Sequence, residues 1–471
     1  MNRKCQIFTP NDYVNRLLDI VNYTDCLYGK RVLENSCGVG NVLVVIVERY
    51  IDDCRKHGFT DSKIREGLEQ DIFGVEIDSV TYNQCILNLD ELIKRKGLSS
   101  VQWKVFNADY LKWDYPESFD YVIGNPPYIT YNELTEVERD FVKKHFASCK
   151  KGKFDYCYAF IEKSLNCLAV DGKMAYLIPS SIFKTVFGAN LRSIMKPYLS
   201  AVFEFAQDKM FKDALVKSAI IFLDKATVKD TIFRYQLCEQ NMIEISRSNL
   251  TDKWFFDRNV QAGKKRFGDY FKVSHVVATL LNEAFVLKND SYQGKGDYFI
   301  CQGIKIEKSI IRNTATPRSL RYKREEKIIF PYFYDGDILK RYTQEQFIAL
   351  FPGANSYLNL FRKKLDERKK EENALWFEYG RSQALNGLNR PKLLISTVVS
   401  GKPAVFLLRK DCIPYSGMYV VPREDNATYN LDFAKKLLEN DSFIKYVSKV
   451  GIHVSGNSLR ITSKDIENFM F

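Results

Sequence analysis

Phe119-Asp120-Tyr121-Val122-Ile123-Gly124-Asn125-Pro126-Pro127-Tyr128 runs from a short β-rich segment straight into a loop with two adjacent prolines. Each proline fixes φ near about −65° and removes an N–H donor, so the loop is stiff and presents acceptors. Upstream and downstream of it, short apolar runs alternate with longer amphipathic ones. Strands are expected over 32–35, 72–77, 101–106, 119–124, 174–179 and 201–205, and helices over 41–57, 79–96, 156–170 and 188–197. This alternation is that of repeated βαβ units around a parallel sheet, a Rossmann-like α/β fold. After 201–205 another strand follows at 218–223 with no room for a helix between, so an edge hairpin is expected there, linked through Lys209-Met210-Phe211.

In such a sheet, ligands sit at the carboxyl ends of the strands. The first strand ends in Glu34-Asn35-Ser36-Cys37-Gly38-Val39-Gly40-Asn41, where Gly38 and Gly40 let backbone approach a ligand and the following helix offers free N–H groups. Alone, this Gly-x-Gly is equally a plain tight turn. The second strand ends at Glu76, a carboxylate placed to accept from ribose hydroxyls, and the third leads to Asp109, placed to accept from an adenine amine. Each acid alone is as readily a helix cap or a solvated charge. Three consecutive strands that each end in a ligand group point to a nucleoside. The absence of Gly-Lys-Ser/Thr and of a full dinucleotide fingerprint argues against ATP and NAD and favours S-adenosyl-L-methionine (AdoMet).

The loop after the fourth strand suits one chemical problem. An NH2 group conjugated to a ring or carbonyl is a poor nucleophile because its lone pair is delocalised. The Asn125 amide oxygen and the Pro126 carbonyl can both accept from such a group and favour a tetrahedral nitrogen whose lone pair faces an electrophile. Tyr128 supplies a flat face for stacking. A proline-rich turn closing a strand is the bland alternative, and the Asn before and the aromatic after argue against it. The motif defines a conjugated amine but not its owner, since a protein glutamine or an RNA base poses the same problem.

On the Asn125-Pro126-Pro127-Tyr128 loop and the strand-end residues before it, the chain resembles the TaqI-like, gamma-class N6-adenine DNA methyltransferases of restriction-modification systems, over about residues 5–235. The resemblance implies AdoMet as cofactor and duplex DNA as substrate. It implies that Asn125, Pro126, Pro127 and Tyr128 are catalytic. Thr9, in Phe8-Thr9-Pro10, then lies near the cofactor's methionine, and Glu34, Ser36 and Gly38 form the first loop. Glu76 holds the ribose, Asp109 meets the adenine and Phe160 lies beside it. Tyr128 and Phe211 would sandwich a target base flipped out of the duplex. For Phe160 or Phe211 taken alone, core packing is the commoner role. Two departures stand out: Asn35 occupies a position where the family has Pro, and the spacing after Phe211 is one residue long.

Charge divides the chain. Residues 1–240 carry 32 Lys+Arg and 32 Asp+Glu, whereas 241–471 carry 38 and 26, so the whole formal +12 lies in the second part. A methyltransferase domain over 1–240 and a basic, mixed α+β target-recognition domain over 241–471 are expected, the latter gripping phosphates. A solvated basic surface would give the same count. Clusters at 263–266 and 321–324 are candidate phosphate contacts. Segments 327–331, 337–342 and 390–396 resemble parts of TaqI-like specificity domains. The 11 cysteines form no Cys-x-x-Cys pair and only four histidines accompany them, so reduced thiols and no metal are expected. With no apolar run long enough to span a bilayer and no leader, a cytoplasmic monomer is expected, with a separately encoded restriction endonuclease as its counterpart. The alternative reading is an AdoMet-dependent RNA or protein-glutamine amide methyltransferase using the same loop.

Overall fold

Strands that pack helices against both faces must be apolar on both. Residues 32–34, 72–76 and 218–224 are buried at every position. The computed structural model describes residues 9–471 apart from 116–117, 206–217, 239, 252, 257–264, 425–427 and 456–457. It divides into two compact units, residues 1–260 and 261–471. The described part of the first unit runs α1 (Asn11–Ile20), β1 (Val32–Glu34), α2 (Asn41–Lys56), α3 (Asp61–Asp71), β2 (Ile72–Glu76), α4 (Ser79–Arg95), β3 (Lys104–Asn107) and β4 (Phe119–Gly124). It continues through α5 (Glu136–His145), α6 (Cys157–Cys167), β5 (Leu168–Pro179), α7 (Ala189–Met195), β6 (Leu199–Glu204), β7 (Ser218–Asp224), β8 (Ile232–Leu237) and β9 (Ile243–Ser246).

These strands form one sheet in the order β3-β2-β1-β4-β5-β7-β6-β8-β9. Strands β3, β2, β1, β4 and β5 are mutually parallel, and β7 lies antiparallel between β5 and β6. Chain order reverses at β1, which makes the crevice beyond the carboxyl ends of β1 and β4 the topological switch point, where open α/β sheets take their ligands. Alternation along β5 shows the two-sided core. Met174, Tyr176 and Ile178 join one cluster with Ile161 and Leu165 of α6, while Ala175 and Leu177 join the other with Leu43 and Ile46 of α2.

The antiparallel β6–β7 pair lies where the sequence indicates, and the sheet continues beyond it. β8 adds parallel to β6, and β9 adds antiparallel to β8, so residue 240 falls between two strands of this sheet. Arg247, 6% exposed, fastens that extension. Its guanidinium donates to the carbonyls of Leu199, Pro197, Thr227 and Asp230 at 2.8–3.0 Å.

The second unit is built from small antiparallel sheets, consistent with a mixed α+β region. Its four-stranded sheet takes Phe271–His275, Met418–Pro422, Lys392–Ile395 and Val405–Leu408 in that order. Helices Leu431–Leu438 and Asp441–Val450 share a core with it through Leu438, Phe443 and Val447. Among the described residues every cysteine is a free thiol, and no helix is long and apolar enough to cross a membrane.

Arg247→Ala leaves several buried carbonyls without a donor, each costing about 1–3 kcal/mol. Amide hydrogen exchange in β8 and β9 is expected to accelerate by at least about a hundredfold, corresponding to roughly 3 kcal/mol of local stability, with smaller changes in β1–β3.

Candidate active site

A cavity of about 910 Å³ opens at the switch point. Its walls come from the ends of four strands, the starts of α2 and α4, and residues of α5 and α6. Of the residues singled out from sequence, Thr9, Glu34, Ser36, Gly38, Glu76, Asp109, Asn125, Pro126, Pro127, Tyr128 and Phe160 all line it. Two do not join them. Phe211, with the rest of 206–217, lies outside the described residues. Gly40 is absent from the wall: at φ +90° it begins α2, and a Cβ there would stand 2.8 Å from Cys85 Sγ. Its left-handed φ and the packing of helix α4 behind it both require the absence of a side chain.

The first loop is organised by Glu76. Its carboxylate accepts from the Gly38 N–H at 2.9 Å and from the Asp78 N–H at 2.8 Å, so the β1 loop is tied to the end of β2. Each oxygen keeps a further lone pair for a hydroxyl donor. Gly38, at φ +56°, turns the backbone so that its N–H meets that carboxylate.

The fourth-strand loop is tied to the same structure. Ser36 Oγ donates to the Asn125 carbonyl at 3.0 Å, and Asn125 Nδ2 donates to Thr9 Oγ1 at 3.3 Å. With the amide nitrogen committed to Thr9, the buried Oδ1 is the opposite end of the group. Tyr128 is half-buried, with its hydroxyl inserted into the protein where it has no hydrogen-bond partner, and burial raises its pKa well above the ordinary tyrosine value.

Asp109 is less free than its position suggests. Its Oδ1 accepts from the Leu111 N–H at 3.1 Å and its Oδ2 pairs with Lys112 at 3.3 Å, so it caps its own turn while lining the cavity. Lys163 on α6 holds that turn from behind by donating to the carbonyls of Leu111 and Trp113. Phe160, 6% exposed, packs edge-on against Tyr156 at 5.5 Å and tilted against Tyr110 at 5.3 Å.

Several wall residues went unread in the sequence. Ile77 and Val80 are apolar yet 69% and 76% exposed, and both line the cavity. Ile77 directly follows Glu76, and an apolar residue left outside a strand end was the available signal. Tyr156 stands four residues before Phe160, one helical turn along the same face. Asn35, 2% exposed, donates through Nδ2 to Ser164 Oγ at 2.8 Å and to the Tyr176 hydroxyl, while its Oδ1 has no hydrogen-bond partner.

Burial pushes the carboxyl of Glu34, 3% exposed, well above the ordinary carboxylate range, reinforced by Cys85 and Glu76 and opposed by the Leu43 N–H. Its Oε2 has no hydrogen-bond partner. Buried polar atoms without partners are costly, and two adjacent residues with such atoms on this wall fit a polar, hydrogen-bonding ligand.

In the second unit, Arg321, Lys323 and Arg324 are exposed, whereas Lys392, fully buried, donates to the Arg409 and Cys412 carbonyls at 3.2 and 2.8 Å. Burial lowers its pKa to about 8. That lysine shapes the 409–412 turn and is not a surface cation.

Residues 54–211 match the family described as Eco57I restriction-modification methylase. The chain is 26% identical over 327 residues to the type II restriction enzyme and methyltransferase RM.Eco57I of Escherichia coli, covering 60% of this chain and 32% of that protein. It is 29% identical over 198 residues to the type II methyltransferase M.PaeR7I of Pseudomonas aeruginosa, covering 40% and 34%. The chain thus spans about a third of the length of these curated relatives. Its fold is similar to that of the type IIL restriction-modification enzyme MmeI, solved in complex with DNA, with TM-score 0.59 at 15% identity over 97% of this chain and 63% of that one.

Folding raises the pKa of Glu34 above its unfolded value, so the folded chain takes up a proton. The stability tied to this group is therefore complete below the ordinary carboxylate range and is lost as pH climbs toward the raised value, at up to about 1.4 kcal/mol per pH unit. Glu34→Gln removes that loss. In thermal unfolding the variant is expected to match the parent near pH 4 and to exceed it by a margin that widens as pH rises above the ordinary carboxylate range. A constant margin would mean that Glu34 is ionised in the folded chain.

Proposed function

We propose that this chain, similar in its middle part to restriction-modification methylases, is an AdoMet-dependent DNA methyltransferase that methylates the N6 amine of adenine. The observation that carries this reading is the convergence of Glu34, Glu76, Asp109 and the Asn125-Pro126-Pro127-Tyr128 loop on one cavity at the switch point. The side chains fit the cofactor: a carboxylate with spare lone pairs for ribose hydroxyls at Glu76, apolar faces at Ile77 and Phe160 for an adenine ring, and unpartnered polar atoms at Glu34 and Asn35. When bound, AdoMet supplies a methyl group made electrophilic by its sulfonium.

The chain's own residues then deal with the weak nucleophile. Asn125 Oδ1 and the Pro126 carbonyl accept the two hydrogens of the amine, draw its nitrogen toward tetrahedral geometry and favour the positive charge that develops as the N–C bond forms. The same acceptors give the excess proton a route to solvent once transfer is complete. No ionised base is needed before attack. Tyr128, anchored through its buried hydroxyl end, offers its ring face to the base, and Pro126 and Pro127 keep both acceptors fixed. An amine inside a stacked duplex cannot enter such a cavity, so the base is flipped.

The basic second unit is the proposed DNA-recognition region, with exposed Arg321, Lys323 and Arg324 as phosphate contacts whose contribution falls with salt. The matching endonuclease is proposed as a separate protein. Fusion of both activities, as in the name of the Escherichia coli relative, is the alternative arrangement.

With tritium-labelled AdoMet, the purified chain is expected to label duplex DNA, and digestion should return the label as N6-methyl-2′-deoxyadenosine. Asn125→Ala should reduce transfer by at least about a thousandfold, roughly the 4 kcal/mol assigned to a lost transition-state acceptor, while calorimetry shows AdoMet affinity within a few fold of the parent. Label found only in protein or RNA rejects the DNA reading and favours an amide or RNA methyltransferase.

A further inference from the structure

The turn after α1 and the C-terminal end of α2 bring together a carboxylate, a thiol and an imidazole: Asp25, Cys26 and His57. Cys26 Sγ lies 3.4 Å from Asp25 Oδ2, and His57 Nε2 lies 3.7 Å from Asp25 Oδ1. One ligand atom from each residue lies within 4.8 Å of the other two. A tetrahedral zinc ion with bonds of about 2.0–2.3 Å spaces its ligand atoms roughly 3.3–3.8 Å apart, so small side-chain rotations bring the three into register.

What separates this group from a chance surface cluster is the residue behind it. Asp53 has a side chain only 4% exposed. Its Oδ2 accepts from the Leu27 N–H at 2.8 Å, which holds the turn carrying Asp25 and Cys26. Its Oδ1 has no hydrogen-bond partner and stands 3.3 Å from His57 Nδ1. The Asp53 carbonyl lies 2.9 Å from the same Nδ1. A carbonyl can only accept, so Nδ1 carries a proton, and Nε2, which faces Asp25, is the ring nitrogen available to a metal.

A buried carboxylate and a carbonyl behind the Nδ1 of a histidine whose Nε2 faces outward is the arrangement that fixes and strengthens a metal-binding imidazole. Here one carboxylate orders both halves of the group. Cys26 is also held at φ +55°, a conformation that a non-glycine residue adopts only when its surroundings impose it.

We propose that Asp25, Cys26 and His57 bind a divalent transition-metal cation of the zinc class, with Asp53 as the positioning residue and a fourth coordination place left to water. Thiolate plus imidazole selects a borderline-soft ion over magnesium or calcium. The Cys26 thiol gives its proton to solvent as the metal–sulfur bond forms. Lys56 Nζ now sits 2.8 Å from Asp25 Oδ1 and competes for that carboxylate, but its side chain is 68% exposed and free to swing into water. Helix α2 begins beside the cavity and ends at His57, so the metal lies about 24 Å away at the helical rise per residue. Its role is therefore to clamp α1, the following turn and α2 together, not to take part in chemistry.

Zinc chloride titrated calorimetrically into the metal-stripped full chain is expected to bind one-to-one. Cys26→Ser and His57→Gln should each weaken binding by at least about tenfold, and Asp53→Asn by about 10- to 100-fold. Lys56→Met should tighten it. With cobalt(II), the thiolate-to-metal charge-transfer band should appear in the parent and in Lys56→Met and be missing from Cys26→Ser. Absence of zinc binding by the parent chain, or affinity unchanged in both Cys26→Ser and His57→Gln, overturns the proposal. The outcome is independent of whether the chain transfers methyl groups.

Discussion

Strand β1 pairs in parallel with β4, Val32 opposite Tyr121 and Leu33 opposite Val122, and just beyond these pairs both strands end at the same edge of the sheet. Ser36 Oγ then bridges the two exits by donating to the Asn125 carbonyl. Thr9 meets the Asn125 amide from the N-terminal side, and Glu76 ties Gly38 to β2. The acceptors proposed to meet the target amine are thus placed relative to the proposed cofactor walls by backbone pairing, which does not rearrange easily. A register slip of one residue between β1 and β4 would turn Glu34 away from the cavity and separate Ser36 from Asn125.

That placement has an energetic cost visible in the same wall. Glu34 Oε2, Asn35 Oδ1 and the Tyr128 hydroxyl are buried and lack hydrogen-bond partners, and each such group costs on the order of 1–3 kcal/mol. Outside the cavity, Arg247 and the Ser164–Tyr176–Tyr110 hydroxyls are satisfied, whereas the Tyr23 hydroxyl and Asp53 Oδ1 are also buried without hydrogen-bond partners. Three such groups together on one cavity wall fit a site whose partners arrive with a ligand.

The core of the fold could be read from the sequence because β1, β2, β4 and β7 are continuous apolar runs and α2 and α4 keep helical periodicity. Their ends fell within a residue or two of expectation. Other elements carried local signals that periodicity did not reveal. α5 begins with a Thr135–Glu138 capping box and α3 with Thr60 as its cap, yet neither helix has a wide apolar face. β8 and β9 alternate exposed and buried positions at the edge of the sheet, where a composition shift masked them. The cavity was legible one strand end at a time, whereas Gly40 shows the limit of motif reading: its spacing matches a ligand loop, but Cys85 behind it explains the glycine. Asn35 shows the converse, since only the fold reveals that it joins a buried hydroxyl network.

What the chain acts on rests on the cavity and the basic second unit together, because the loop chemistry alone would serve any conjugated amine. The most direct measurement is long-read sequencing of DNA from cells that express the chain in a background free of adenine methylation. The account predicts modified adenines confined to one short recurrent sequence, present with the parent chain and absent with the Asn125 variant. Unmodified DNA despite a folded, AdoMet-binding protein would contradict it.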